Sequence, residues 1–457
     1  MTRISVPKIE FINHSSVLIS NEEVGLLSDP WYQGDAFHRG WNLLHELLDD
    51  EIKELLNRIT HIWISHEHPD HFSISFFNKF GETIKEKGIE ILFQETKDKR
   101  VEGFLKAKKF IVRILETNEW IKISNNCKVF NFKDGFYDSG LAIDISGKKF
   151  LNLNDCEIKS DSRCSEVLEL VGECDVLLSQ FSYAAWKGGR DNTLWRKKAA
   201  EDKLSTLSTQ VKYFKPQVLI PFASFVYFSN TANFYLNDSV NTPNKVLEYF
   251  SDSKGVGIKV MKPFEVLNEF VLKDYDNNEA LEFWNHSFAI SNDTQKNNFE
   301  TKDLDDLNNS FEVYKERIFK NNSKFFIRLL RMISPVPAFR TIMIQLHDIN
   351  QVVKLNFFQD SLITTDSDPD ISMSSESLDF IFNNMFGFDT LTVNGCFEEL
   401  KKGGFSKMTR TLAIENLNNI GISVNFSIFL RIDLIILFLS RLFTVSKKIN
   451  SQLIKKN

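Results

Sequence analysis

Residues 60–73 read Thr-His-Ile-Trp-Ile-Ser-His-Glu-His-Pro-Asp-His-Phe-Ser, and the six residues from His66 to His71 hold three of the chain's nine histidines. The apolar run Ile62-Trp63-Ile64 predicts a short buried strand, and Ser73 is placed to cap a following helix. Side chains that alternate at a strand end share one side, so His66 and His68 can face one ion. Asp70 and His71 are adjacent and point differently, which suits a second ion nearby. Neutral imidazole and carboxylate are ligands for zinc, iron or manganese, and paired ions can hold and activate a bridging hydroxide. Structural zinc sites favour cysteine, so the pattern points away from a purely structural metal.

Working outward, Lys8–Ile19 reads as two strand-like pieces around Asn13-His14-Ser15-Ser16, and Val24–Ser28 as a third, ending at Asp29-Pro30. Leu43, Leu44, Leu47, Leu48, Ile52, Leu55, Leu56 and Ile59 recur at helical spacing and predict one amphipathic helix. Further strands are expected at Ile89–Phe93, Lys128–Phe132, Gly140–Ile145, Lys149–Asn152, Val176–Ser179 and Gln217–Pro221, with a long helix over Thr193–Phe214. Alternating strands and helices predict an α/β layered domain over residues 1–270. Residues 271–334 are polar and helix-prone and read as a bridge. Residues 335–457 read as a small α+β domain without a catalytic signature.

The formal net charge of −6 lacks the basic field of a nucleic-acid-coating protein. Cys127, Cys156, Cys164, Cys174 and Cys396 form no C-x-x-C pair, which fits a reducing compartment. The first residues lack an apolar signal core, so the cytoplasm is the expected location. The apolar segment 426–444 is interrupted by Arg431, Asp433 and Arg441. It reads as a packed terminal helix, with weak membrane docking as the alternative.

The motif His66-x-His68-x-Asp70-His71 after an apolar strand resembles the metallo-β-lactamase superfamily. Asn13-His14-Ser15-Ser16-Val17-Leu18-Ile19 and Leu27-Ser28-Asp29-Pro30 resemble the branch containing ascorbate-phosphate lactonases and the phospholipase D that releases N-acylethanolamines. Residues 136–156, 177–186 and 215–225 are more narrowly similar to the metallo-β-lactamase-like part of the CMP-N-acetylneuraminate hydroxylases. The resemblance covers about residues 8–270 and implies an αββα sandwich, followed here by the C-terminal α+β domain.

The resemblance also implies a ligand set. His66, His68 and Asp138 would hold one ion, and Asp70, His71 and Asp155 the other, with Asp70 and Asp155 in the catalytic centre. Asp138 stands where a third histidine is usual; Asp-Ser-Gly is equally good turn chemistry. The last superfamily histidine is missing, because Phe222-Ala223-Ser224 occupies its place. Asp29 is expected to orient the histidine loop from behind the ligands, and His14 either to line the pocket or to hold Asp29. Tyr183, Trp186 and Lys187 follow a strand where α/β sheets place ligand loops, so Tyr183 and Trp186 are the candidate substrate-binding residues.

These expectations describe a metal-dependent hydrolase using one or two divalent ions, zinc or iron, with manganese a further candidate. A metal-held hydroxide would attack a phosphorylated or sugar-nucleotide-type substrate. The oxygen-rich donor set supports an alternative, an iron-dependent oxidoreductase or the substrate-binding half of a hydroxylase. The chain lacks the C-x-H and C-x-x-H spacing of a Rieske cluster, so that alternative calls for a redox partner protein. The missing histidine supports a third reading, a non-catalytic protein that binds a ligand such as a nucleotide sugar.

Overall fold

Alternation along the strands sets the layers. Ile9, Phe11, Val17, Ile19, Leu26, Trp63 and Leu92 belong to one core, while Ile12, Leu18, Leu27, Ile62, Ile64, Ile91 and Phe93 belong to another. Successive side chains of a strand point to opposite faces, so a sheet apolar on both faces needs a layer on each. The computed structural model, which describes residues 6–333 and 338–426, supplies those layers.

The elements that build them run β1 (Lys8–Asn13), β2 (Ser16–Ser20), β3 (Gly25–Ser28), β4 (Trp41–Leu43), α1 (Asp49–Leu56), β5 (His61–Ile64), α2 (Ile74–Glu86), β6 (Glu90–Gln94), α3 (Arg100–Ala107) and β7 (Ile111–Leu115). They continue with β8 (Trp120–Ser124), β9 (Cys127–Asp134), β10 (Asp138–Ile145), β11 (Lys148–Asn154), α4 (Asp161–Val171), β12 (Val176–Gln180), α5 (Thr193–Phe214) and β13 (Val218–Phe222). β14 (Val226–Phe228), α6 (Pro243–Tyr249), β15 (Gly257–Ile258), β16 (Val266–Leu267) and α7 (Asn278–Asp293) complete the run.

One seven-stranded sheet has the order β16-β1-β2-β3-β5-β6-β7, the other β15-β13-β12-β11-β10-β9-β8. Between them, Phe11, Val17 and Trp63 share a core with Val129, Leu141, Phe150 and Leu177. Ile52 and Leu55 of α1, Phe76 and Phe80 of α2 and Leu105 of α3 cover the outer face of the first sheet. Val167 of α4 and Leu204 and Leu207 of α5 join the core of the second. This is the metallo-β-lactamase αββα sandwich. The parallel pairs β3/β5/β6 and β11/β12/β13 bring six strand ends to the sandwich edges, where α/β folds place ligand loops.

Two expectations are corrected. The leucine run from Leu43 is not one helix. Trp41–Leu43 is a strand paired with Val226–Phe228, and α1 starts only at Asp49, where Leu48 is extended and its N–H donates to Glu51 at 2.7 Å. Asp49, Asp50 and Glu51 suit the positive helix N-terminus, and of the leucines before them Leu43 and Leu47 are buried while Leu48 is exposed. The bridge expected over 271–334 is not a separate piece either. The chain divides into one unit that runs to Asn298 and takes in Thr392–Cys396, and a second that begins at Phe299. The cause is Trp284 of α7. It is fully buried, stacks on Phe225 with ring centroids 4.1 Å apart, and donates its indole N–H to the Met261 carbonyl at 2.9 Å.

The second unit, described by itself, is α+β. Its five-stranded sheet has the order Ile363–Thr364, Gln351–Leu355, Ile342–Leu346, Ile371–Met373, Phe397–Glu399. Helix Leu304–Asn321 buries Leu307, Phe311, Tyr314 and Ile318, with Phe311 and Tyr314 each 5.2 Å from the Phe382 ring. The expected terminal helix over 426–444 lies, beyond Phe426, outside the described residues. Among the described residues no helix is long and apolar enough to cross a membrane.

Candidate metal centre

Four non-glycine residues at these strand ends have left-handed backbone: His14 (φ 25°), Asp29 (φ 38°), Asn154 (φ 36°) and Ala223 (φ 47°). That conformation costs an L-residue on the order of 1–2 kcal/mol, and such strain concentrates at functional sites. Here each bend serves the same edge. His14 turns between β1 and β2, Asp29 leaves β3, Asn154 ends β11 and precedes Asp155, and the Ala223 N–H after β13 donates to the His14 carbonyl at 2.9 Å.

Asp29 is buried and accepts three hydrogen bonds. Ser65 donates its N–H to Oδ1 and its hydroxyl to Oδ2, both at 2.8 Å, and His71 Nδ1 lies 3.0 Å from Oδ2. Asp29 therefore holds the histidine loop from behind. Ser65 Oγ also stands 2.9 Å from His66 Nδ1. With its proton given to Asp29, that oxygen accepts from the Nδ1–H of His66. Both imidazoles are thus fixed with Nε2 toward the opposite side. From behind, Gln94 (2.9 Å) and Ser139 (2.6 Å) donate to the Ser65 carbonyl.

The Nε2 side gathers three sets of donor atoms, each within 4.8 Å of one another: His66, His68 and Asp138; His66, His71 and Asp155; His14, Asp70 and His71. His66 Nε2 is 2.9 Å from His68 Nδ1 and 3.7 Å from Asp138 Oδ1. His71 Nε2 is 3.4 Å from both Asp70 Oδ2 and Asp155 Oδ2. All six residues expected as ligands therefore meet in one cluster. His14 joins them: its Nε2 lies 3.4 Å from Asp70 Oδ2, and its Nδ1 accepts the Phe225 N–H at 3.2 Å. It contacts Asp70 rather than Asp29, so it does not hold Asp29.

Whether this cluster suits a divalent ion can be judged from its own atoms. Asp70 Oδ1 and His71 Nε2 are buried without a hydrogen-bond partner, which is costly for groups of this kind. Four imidazoles and three carboxylates converge there, all of them oxygen and nitrogen donors. The residues fit a divalent ion.

The electrostatics agree. Burial pushes Asp70 up, but the neighbouring His71 charge and a hydrogen bond from His14 outweigh it and hold the carboxyl well below its usual range. Burial pushes His71 down, yet Asp70, Asp155 and Asp29 together hold it well above the usual imidazole range. His66 is pushed well below that range by burial, then by His71 and His68. Asp138, at the rim, is raised to about 7 by burial, against the pull of His68.

Several supporting residues carried no spacing signal. Asn154 accepts the Asp155 N–H at 2.5 Å and donates to the Ser139 carbonyl at 3.1 Å. Gln180 donates to Asp155 Oδ1 at 2.9 Å, and its carbonyl oxygen accepts from Lys203 Nζ. Of the candidate substrate residues, Tyr183 is buried, donates its hydroxyl to the Leu236 carbonyl and lines a cleft beside Gln180. Trp186 is packed 5.4 Å from the Trp195 ring, and its backbone N–H donates to the Thr392 carbonyl at 3.2 Å. It is not among the residues lining that cleft. Cys156 is buried, and its thiol is pushed well above its usual range, first by burial, then by Asp138, so it is no nucleophile.

No family model matches the chain. In sequence it is 24% identical over 283 residues to the cytidine monophosphate-N-acetylneuraminic acid hydroxylase of Mus musculus, covering 57% of this chain and 47% of the mouse protein. The match thus spans less than half the length of that relative. Among solved structures, Igni18, a metallo hydrolase of Ignicoccus hospitalis, superposes with a TM-score of 0.41 at 16% identity over 57% of this chain and 97% of its own. CmlA, a diiron β-hydroxylase of Streptomyces venezuelae, gives 0.41 at 14% identity over 57% of this chain and 54% of its own. In sequence the chain resembles the hydroxylases, and its fold is that of the metallo-β-lactamase superfamily.

Proposed function

We propose that this protein is a metal-dependent hydrolase acting on a phosphorylated or sugar-nucleotide-type small molecule. The observation that carries the reading is the convergence of His66, His68 and Asp138 with Asp70, His71 and Asp155 at one strand edge, with Asp70 Oδ1 and His71 Nε2 buried and without a hydrogen bond. His66, His68 and Asp138 would hold one ion and Asp70, His71 and Asp155 a second, with His14, whose Nδ1 accepts the Phe225 N–H, orienting Asp70 through Nε2–H. A divalent ion there supplies a Lewis acid that polarises the scissile group and acidifies water. The chain's own residues do the positioning. Asp29 and Ser65 fix the imidazole tautomers, and Asn154 and Gln180 orient Asp155.

A second reading, an iron-dependent hydroxylase or the substrate-binding half of one, is supported by the three carboxylates in the donor set and by the similarity to CMP-N-acetylneuraminic acid hydroxylase. Metal analysis of protein purified without added metal, paired with turnover of a generic phosphodiester, separates the two. Zinc with turnover, with the turnover and one zinc equivalent lost in His68→Ala, supports hydrolysis. Iron without turnover, with a colour that responds to oxygen, replaces it with the second reading.

A further inference from the structure

A cleft of about 180 Å³ opens between the ends of β11 and β12 and the flank of α5. Three lysines line it: Lys159, Lys187 and Lys203. Two carboxylates line it as well, and both have other partners. Glu157 is shared between Lys159 and Lys203, the latter at 3.4 Å, and Asp202 lies 3.4 Å from Lys198 on the surface of α5. Lys187 makes neither a hydrogen bond nor an ion pair among the described residues. Burial, then the neighbouring Lys203, push its ammonium below the usual lysine range. Glu157 pulls the other way, but that carboxylate is already shared with Lys159 and Lys203. A half-buried, under-compensated cation is unfavourable, and a bound anion relieves it.

The cleft is also wired to the metal centre. Lys203 donates to the Gln180 carbonyl oxygen, and Gln180 donates to Asp155 Oδ1 at 2.9 Å. The other carboxylate oxygen of Asp155 stands 3.4 Å from His71 Nε2. An anion held by Lys187 and Lys203 is therefore one side chain away from the candidate ligand Asp155. Lysine ammonium groups are compact charges with rotatable donors, well suited to phosphate oxygens.

We infer that this cleft is a phosphate-recognition subsite, in which Lys187 and Lys203 anchor the phosphate of a phosphorylated substrate beside the His/Asp cluster. The inference rests on the metal-dependent reading above and adds where its substrate is gripped. No bond is made or broken at the cleft; its role is to position.

The test is calorimetric titration of inorganic phosphate into the full chain as purified, with Lys187→Gln, Lys187→Arg and His68→Ala beside it. Phosphate should bind the wild type, weaken about tenfold in Lys187→Gln, and recover in Lys187→Arg, which restores the charge. It should bind His68→Ala as it binds the wild type, because the subsite does not depend on the metal. Acetate at equal concentration should compete poorly. Undetectable binding to the wild type, unchanged binding in Lys187→Gln or equal competition by acetate overturns the subsite. Loss of phosphate binding in His68→Ala also overturns it, since the anion would then sit on the metal. Failure of the metal-dependent reading is seen separately, as His68→Ala retaining full metal content and turnover.

Discussion

The backbone N–H of Phe225 donates to Nδ1 of His14 at 3.2 Å, and the far nitrogen of the same ring stands 3.4 Å from Asp70 Oδ2. Residues Phe222-Ala223-Ser224, just before Phe225, are where the superfamily resemblance leads one to look for a last histidine. The imidazole arrives there from the β1–β2 turn instead, steered by the chain that lacks it. His14→Ala should therefore weaken one metal equivalent about 10–100-fold and leave the other near its original affinity. His68→Ala should do the converse. Stepwise metal titration of the two variants checks this, and equal losses at both steps would make His14 a packing residue.

The cluster's protonation predicts how metal uptake depends on pH. Asp138 is raised to about 7 and His71 is held well above its usual range, so the metal-free protein keeps protons that an ion must displace. Apparent metal affinity should rise steeply with pH through about 7, by up to about tenfold per pH unit for each proton released. Metal-free stability should move the other way. A group whose folded pKa is raised stabilises fully below its unfolded value and loses that contribution as pH rises through the folded one. Above about pH 6.5, where His66 is neutral in both states, the metal-free protein should lose stability as pH rises. Thermal melts of stripped and loaded protein between about pH 6.5 and 8 should diverge, and parallel melts would mean the cluster binds no metal.

Asp29 tests the scaffold behind the ligands. Asp29→Ala leaves the Ser65 N–H and hydroxyl and the His71 ring without their acceptor in a buried place, and should cost roughly 3–5 kcal/mol. Asp29→Asn keeps the shape, but its amide group cannot accept on both sides as the carboxylate does. It should fold with a smaller loss and still bind metal more weakly, because the His71 tautomer is no longer fixed. Denaturant unfolding together with metal titration separates the two effects. A fully metal-competent Asp29→Asn would show that Ser65 alone orients the imidazoles.

Much of this layout was legible in the sequence, for definite reasons. The strand before His66 was visible because it is buried on both faces and short. The long helix expected over Thr193–Phe214 coincides with α5, which the Asn192 side chain caps and which ends at Lys215 in left-handed backbone. Strand-end residues with ligand chemistry stood out by type. Their supports did not. Ser65, Gln94, Ser139, Asn154 and Gln180 are common polar residues whose roles depend on contacts across distant strands. The approach of His14 to Asp70 was hidden for the same reason. The place of α7 was missed because a mostly polar helix hid one decisive tryptophan, whose partner Phe225 lies on another element. The leucines around α1 misled because helical spacing over a few residues is shared by a loop feeding a strand pair.

Gln180 offers the last test, since it joins the metal centre to the lysine cleft. Its amide donates to Asp155 Oδ1 at 2.9 Å and its carbonyl oxygen accepts from Lys203. Gln180→Glu would set a second carboxylate against Asp155 at that distance, where two like charges cannot both ionise freely. The pair should share a proton near neutral pH, so metal binding should weaken at pH 6 and recover toward pH 8 on the order of tenfold more steeply than in the wild type. Gln180→Ala removes the tether without adding charge, so its loss of affinity should be smaller and its pH slope unchanged. Metal titrations at the two pH values distinguish the variants. Identical slopes for Gln180→Glu and wild type would mean that Lys203 neutralises the new carboxylate and that Asp155 never feels it.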